Sequence, residues 1–218
     1  MDTPWLDIPL ADYEGHMSLS TIGQAQMLAT LFAELLAEFS PPSVAVVGCA
    51  GGNGFDQICM EATRRVAAVD INPHYLEALS NRYADRIPGL ELYAGDIQSP
   101  ALTFAPVDLI YAALLFEYVA PAPVLANLKA ACRPQGVLAS VLQLPSGTAA
   151  AVSPSPFTSL QALAPVMHLV TPADLLAHAK EAGFVPLSAK KIALPSGKKF
   201  AVQVFQLPAG ENVPIRPP

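Results

Sequence analysis

Short apolar runs, several of them stopped by glycine or an acidic residue and most separated from the next by a helical pattern, constrain this chain most. Val44-Ala45-Val46-Val47 lies between Pro41-Pro42 and Gly48. Val66–Val69 stops at Asp70, Leu90–Ala94 stops at Gly95-Asp96, and Val107–Ala112 leads into Ala113–Tyr118. Val137–Leu142 follows the turn Pro134-Gln135-Gly136. Brief apolar runs of this kind read as strands buried on both faces. Strands alternating with helices form a parallel sheet covered on both sides. The expected fold is therefore a doubly wound α/β domain. Phe184–Leu194 and Lys199–Leu207, joined by Pro195-Ser196-Gly197, add an antiparallel hairpin at the C-terminal edge. The result is a mostly parallel, seven-stranded sheet.

The helical segments are punctuated in the usual ways. From Ser18 onward, Leu28, Leu31, Phe32, Leu35, Leu36 and Phe39 recur at spacings of three and four. Ser18 or Ser20 suits the N-cap, and Pro41-Pro42 ends the helix. A helix is the natural continuation through Phe55–Arg65. Pro73 opens another, Pro121–Cys132 reads as a further one, and Thr171-Pro172-Ala173-Asp174 begins the last, which ends near Gly183. Residues 1–17 read as an irregular arm. Three parts follow: residues 1–40 as arm and helix forming a lid, 41–207 as the main domain with an inserted loop over 145–169, and 208–218 as a tail.

Composition narrows the function classes. Apolar residues make up 52% of the 218 residues and charged ones 14%, so core material is plentiful and general disorder is excluded. The net charge of −6 comes without a basic stripe, which disfavours nucleic acid and anionic membranes as partners. Asp108, Glu117 and three prolines interrupt the most apolar stretch, Ala101–Leu128, so it does not read as a membrane span. The N-terminus shows no secretory pattern. Cys49, Cys59 and Cys132 form no C-x-x-C pair, and His74, His168 and His178 share no ligand spacing, so no metal is expected. A cytoplasmic protein is the expectation, and its apolar surplus leaves room for a homodimer.

Ligands of open α/β sheets bind outside the carboxyl ends of the strands. Gly48-Cys49-Ala50-Gly51-Gly52-Asn53-Gly54 follows the first strand, Asp70-Ile71-Asn72 the second, and Gly95-Asp96-Ile97 the third. Glycines let a backbone approach a ligand closely. Asp70 suits the two hydroxyls of a ribose, and Asp96 the exocyclic amine of an adenine, with Ile71 and Ile97 flanking the flat base. The dinucleotide fingerprint fails at Ala50 or at Gln57, depending on where it starts, which argues against a nicotinamide-dependent oxidoreductase. No lysine occurs between Val44 and Ile71, so a phosphate-binding loop is excluded as well. A positively charged sulfonium fits these acidic neighbours better than a phosphate does.

These segments resemble class I S-adenosylmethionine-dependent methyltransferases. Val46–Gly54 resembles that family's first motif. Asp70 matches its ribose-binding acid, and Gly95-Asp96-Ile97 its adenine-contacting segment. Val107–Leu115 resembles its fourth-strand motif, and Arg133–Leu138 the turn before its fifth strand. The similarity covers about residues 40–145. It implies S-adenosylmethionine as cofactor, with Gly48, Cys49, Ala50, Gly52, Asn53, Asp70, Ile71, Asp96, Ile97 and Ala112 around it. Two positions depart from the family: Val46 stands where an acid is usual, and Ala50 where glycine is usual. Asn53, Glu117 or the N-terminal arm is then left to meet the methionine end. A cofactor-binding scaffold without catalysis is the alternative reading.

The family would place the methyl acceptor beside Leu115-Phe116-Glu117-Tyr118, and this segment lacks the Asn/Asp-Pro-Pro-Tyr/Phe tetrad of amino-methylating nucleic-acid enzymes. A small-molecule acceptor is expected. Glu117 is the first candidate for a general base, and His16, in the arm, is the second. Tyr13, His16 and Met17 suit a lid over the cofactor. Lys190-Lys191 and Lys198-Lys199 flank the hairpin turn and read as solvated edge charges.

Overall fold

Residue alternation within each strand sorts the core into two layers. In β1 (Ser43–Val47), Val44 and Val46 face one side while Ala45 and Val47 face the other, and all four are buried. The computed structural model describes residues 3–145 and 152–209. The other strands are β2 (Arg65–Asp70), β3 (Leu90–Ala94), β4 (Val107–Ala113), β5 (Cys132–Leu144), β6 (Val185–Ala193) and β7 (Lys199–Gln206). They form one sheet in the order β3-β2-β1-β4-β5-β7-β6. The first five run parallel, and β7 pairs antiparallel with both β5 and β6. The seven-stranded doubly wound fold with an antiparallel C-terminal edge is therefore present.

Helices cover both faces. The first layer packs Leu28, Leu31, Phe32 and Leu35 of α2 (Gln24–Phe39) and Leu76 and Leu79 of α3 (Pro73–Tyr83) against Val44, Val46, Val66 and Leu109. The second packs Val124, Leu125 and Leu128 of α4 (Pro121–Ala130) and Leu175 and Ala179 of α5 (Pro172–Ala182) against Ala45, Val47, Ile110 and Leu138. Capping follows the sequence closely at α5. The Thr171 hydroxyl accepts from the Asp174 N–H, Pro172 takes the first turn, and Gly183 closes the helix at φ +97°.

Three local expectations need correction. The arm is not irregular: Leu10–Ser18 forms helix α1. Its pattern is hard to read because Pro9 and Gly15 flank and interrupt a short amphipathic stretch. Helix α2 is not capped by Ser18 or Ser20; Gly23, at φ +65°, precedes its first residue. The helix expected over Phe55–Arg65 is absent, and only a single 3-10 turn, Phe55–Gln57, forms there. Gly54 supplies no side-chain cap, and Phe55 is the only deeply buried large residue of the segment. With Ile58 and Met60 only partly buried against the first core layer, tertiary contacts give a helix there little support. The Thr63 hydroxyl and the Arg64 N–H instead bond the carbonyls of Pro41 and Pro42.

The N-terminal part and the segment after β5 meet above the carboxyl ends of the strands. Ile8, Leu160 and Leu163 form a small apolar cluster, with Trp5, Tyr13, Tyr118 and Phe157 packed around it. The Ser159 hydroxyl donates to Asp12 at 2.6 Å, and a Cβ on Gly15 would collide with the Phe157 ring. This cap is tied to the body where Asn72 donates to the Trp5 carbonyl (2.9 Å) and the Tyr75 hydroxyl to the Ile8 carbonyl (2.8 Å). The expected loop over 145–169 thus has its described part in the cap. Residues 146–151 and the tail from 210 onward lie outside the described residues. Among the described residues no helix is long and apolar enough to cross a membrane, and no cluster of potential metal ligands occurs.

Candidate functional site

Strand order reverses between β1 and β4, and a cavity of about 790 Å³ opens at that point. Pockets of roughly 300–1,000 Å³ accommodate cofactors and small molecules. Gly48, Ala50, Asp70, Ile71, Asp96 and Ile97 all line this cleft. Residues from the ends of three different strands thus converge, as the parallel order requires.

Asp70 organises the floor. It is 8% exposed; its Oδ2 accepts from the Ala50 N–H at 2.8 Å and its Oδ1 from the Asn72 N–H at 2.9 Å. These N–H contacts leave part of the carboxylate's acceptor capacity open. Burial pushes the Asp70 carboxyl upward, and the N–H donors of Asn72, Ala50 and Ile71 pull against that rise. The loop above it is held in an uncommon conformation, with Gly48 at φ +73° and Ala50 at φ +45°. For alanine this left-handed state costs about 1–2 kcal/mol, and the Asp70 bond helps to hold it. Asp96 Oδ1 accepts from the Gln98 N–H at 2.8 Å, which sets the turn beneath Ile97.

The remaining expected cofactor residues lie elsewhere. Cys49, Gly52 and Asn53 line an adjoining recess of about 290 Å³ along the outer side of the glycine loop, not the main cleft. Cys49 is buried, and burial raises its thiol well above the ordinary value. Asn53 is exposed and donates to the Ala25 carbonyl at 3.0 Å. Ala112 is fully buried in the second core layer; its neighbour Ala113 lines both cavities. Leu114 follows at φ +54°, a strained state for a large side chain, fixed where its N–H meets the Val141 carbonyl at 2.9 Å.

Sequence reasoning missed one group here. Arg82 of α3 reaches the glycine loop, donates to the Gly51 carbonyl at 3.0 Å and forms a two-pronged pair with Glu14 of α1. A Cβ on Gly51 would collide with Glu14 and come within 2.6 Å of Arg82 Nη1. The two charged residues stand 68 positions apart, so no local spacing betrays them.

Glu117 and His16 share a third, smaller chamber of about 50 Å³ rather than the main cleft. Trp5, Tyr13, Leu114 and Tyr118 form the wall between the two. Glu117 is fully buried, and desolvation pushes its carboxyl up to about 7. Burial lowers the His16 imidazole, whose Nδ1 lies 2.9 Å from the Ser155 hydroxyl. Lys198 also lines this chamber, only 3% exposed, so its expected place as a solvated edge charge is corrected. It occupies the inward face of the β7 line, two residues before buried Phe200.

Comparisons with known proteins bear on the fold that carries this site. A family model described as "Methyltransferase domain" matches residues 45–140. Among curated proteins no sequence matches the chain. Solved structures similar in fold include the following three. The N-methyltransferase NodS from Bradyrhizobium japonicum, in complex with S-adenosyl-l-homocysteine, shares 16% identity over 85% of this chain and 87% of its own, with a TM-score of 0.64. The geranyl diphosphate C-methyltransferase from Streptomyces coelicolor shares 11% identity over 82% and 77%, with a TM-score of 0.62. The [4+2]-cyclase SpnF shares 13% identity over 83% and 82%, with a TM-score of 0.64. Residues 45–140 thus match a methyltransferase-domain family model, and the fold around them is that of solved methyltransferase structures.

Proposed function

We propose that the chain is an S-adenosylmethionine-dependent methyltransferase acting on a small, largely apolar molecule. The observation that carries this reading is the convergence of Asp70, Ile71, Ile97 and the Gly48–Ala50 backbone on one cleft. Asp70 would accept from the ribose hydroxyls through the acceptor capacity its N–H donors leave open. Ile71 and Ile97 would flank the adenine, and Asp96 would face its amine. The bound cofactor supplies an electrophilic methyl group on a sulfonium. Asp70 and Asp96, with Asp56 and Glu14 nearby, suit that positive charge. The cleft continues past the cofactor residues to Trp5, Tyr118, Pro121, Val166 and Val170, an apolar and aromatic wall for an uncharged acceptor.

The residues also answer the loss of the usual acid at Val46. That side chain is 6% exposed and belongs to the first core layer. Glu14 and Arg82 stand over the loop instead. At 34% and 45% side-chain exposure their pair adds little to stability. Its two charges match the ammonium and carboxylate of an amino acid, so Arg82 would take the carboxylate end and Glu14 the amine. We expect Arg82→Met to weaken S-adenosylhomocysteine binding by about 10- to 100-fold, the loss of one charge-assisted pair. Binding of 5′-methylthioadenosine, which lacks the amino-acid end, should be unchanged. Equal losses for both ligands would refute the assignment.

Calorimetric titration with S-adenosylmethionine, S-adenosylhomocysteine and NAD tests the reading as a whole. Binding of the two adenosyl ligands and not of NAD is expected. The apolar burial of Val46 favours one second reading, a cofactor-binding scaffold without methyl transfer. Retained cofactor binding with no methyl loss to any member of a broad small-molecule panel would select it.

A further inference from the structure

The small chamber beside the cleft is unusual in its polarity. Glu117, Gln143, His16 and Lys198 line it and are all 5% exposed or less. Glu117 Oε1 accepts from the Gln143 N–H at 2.5 Å, whereas its Oε2, equally buried, has no hydrogen-bond partner among the described residues. Lys198 Nζ donates to Gln143 Oε1 at 3.0 Å, and its charge acts favourably on Glu117. Stability does not account for such a cluster. Apolar replacements of a buried ion pair are often neutral or better, and a buried carboxylate oxygen without a donor is costly. The site is built around an acceptor atom that no described residue satisfies.

We propose that this chamber receives the hydroxyl group of a phenol-type methyl acceptor, with Glu117 Oε2 accepting its O–H. The charge arrangement selects the class. A phosphate or carboxylate would meet the negative Glu117, and an ammonium would meet Lys198. A neutral hydroxyl donates to the first and accepts from the second. At about 50 Å³ the chamber exceeds the roughly 30 Å³ share of one water, enough for a hydroxyl and the carbon that bears it. The ring would lie along the wall that chamber and cleft share, against Trp5, Tyr13 and Tyr118. Trp5 already meets those two rings edge-on, at centroid distances of 5.6 and 5.0 Å. With its carboxyl raised to about 7, Glu117 is matched to take up a proton near neutral pH.

This inference rests on the methyltransferase reading for the role of the hydroxyl, but its binding test is separate. Phenol, toluene and benzylamine are titrated into the full chain, first alone and then saturated with S-adenosylhomocysteine. Phenol is expected to bind at least about tenfold tighter than the other two, the difference made by one well-placed polar contact. Glu117→Gln should reduce that preference, and Lys198→Met should reduce it independently, while both variants keep their affinity for S-adenosylhomocysteine. Equal binding of phenol and toluene overturns the proposal, as does an undiminished preference in both variants. Failure of S-adenosylhomocysteine to bind, with the phenol preference intact, would instead refute the cofactor reading and leave the chamber's ligand class standing.

Discussion

Asp70→Ala is expected to lower S-adenosylhomocysteine affinity by about 100-fold or more and to destabilise the fold by about 2–3 kcal/mol. Both effects have one origin. The carboxylate that would hold the ribose also holds the Ala50 and Asn72 N–H groups. Its removal leaves two poorly exposed donors unpaired and frees Ala50 from its left-handed conformation. Asp70→Asn keeps an acceptor oxygen and should fall between the wild type and the alanine variant in both measurements. Denaturant unfolding and calorimetric titration separate the two losses. Unchanged affinity in the alanine variant would remove Asp70 from the ligand site.

The second large effect is a dependence of stability on pH. The folded state raises Glu117 from its ordinary 4.5 to about 7, because burial disfavours the charged form. Below about pH 4.5 both folded and unfolded chains hold this proton. As pH rises toward 7 the unfolded chain releases it first, so stability falls, by on the order of 3 kcal/mol in full. Lys198 works in the opposite sense. Burial lowers it from 10.5 to about 8, so the stability it contributes at pH above 10.5 is lost as pH falls through about 8. Together the two groups predict a trough near pH 7–8 between gains on either side. Urea midpoints measured across this range should trace it, and Glu117→Gln should flatten the acidic limb. A limb of the same depth in that variant would mean that another group is responsible.

Much of the architecture was legible because the central strands are short, apolar and punctuated. Val44–Val47, Val66–Val69 and Val107–Ala112 announce themselves by composition, and Asp70 and Asp96 by standing at strand ends. The convergence of the residues proposed to hold the cofactor follows from that topology. The rest depended on contacts between distant segments. Nothing near Glu14 or Arg82 in sequence says that they meet over Gly51. The buried place of Lys198 was readable in principle, since it continues the inward line of Phe200, Val202 and Val204 two residues at a time. The turn residues before it obscured that alternation. The missing helix after Gly54 was hidden for the converse reason. Phe55–Arg65 contains adequate helix formers, but its fate is decided by how little of it packs.

That missing helix affects the electrostatic field around the glycine loop. In phosphate-binding sheets of related design, a long helix starts at this loop and directs the positive end of its dipole at the ligand. Here the three-residue turn Phe55–Gln57 supplies almost no such field. The nearby charges are Glu14, Asp56 and Asp70, set against Arg82. The rim of the sheet therefore carries a net negative potential where a dinucleotide site would carry a positive one. On the proposed reading, a sulfonium would be favoured over a pyrophosphate by the absence of that dipole, before any contact with the ligand.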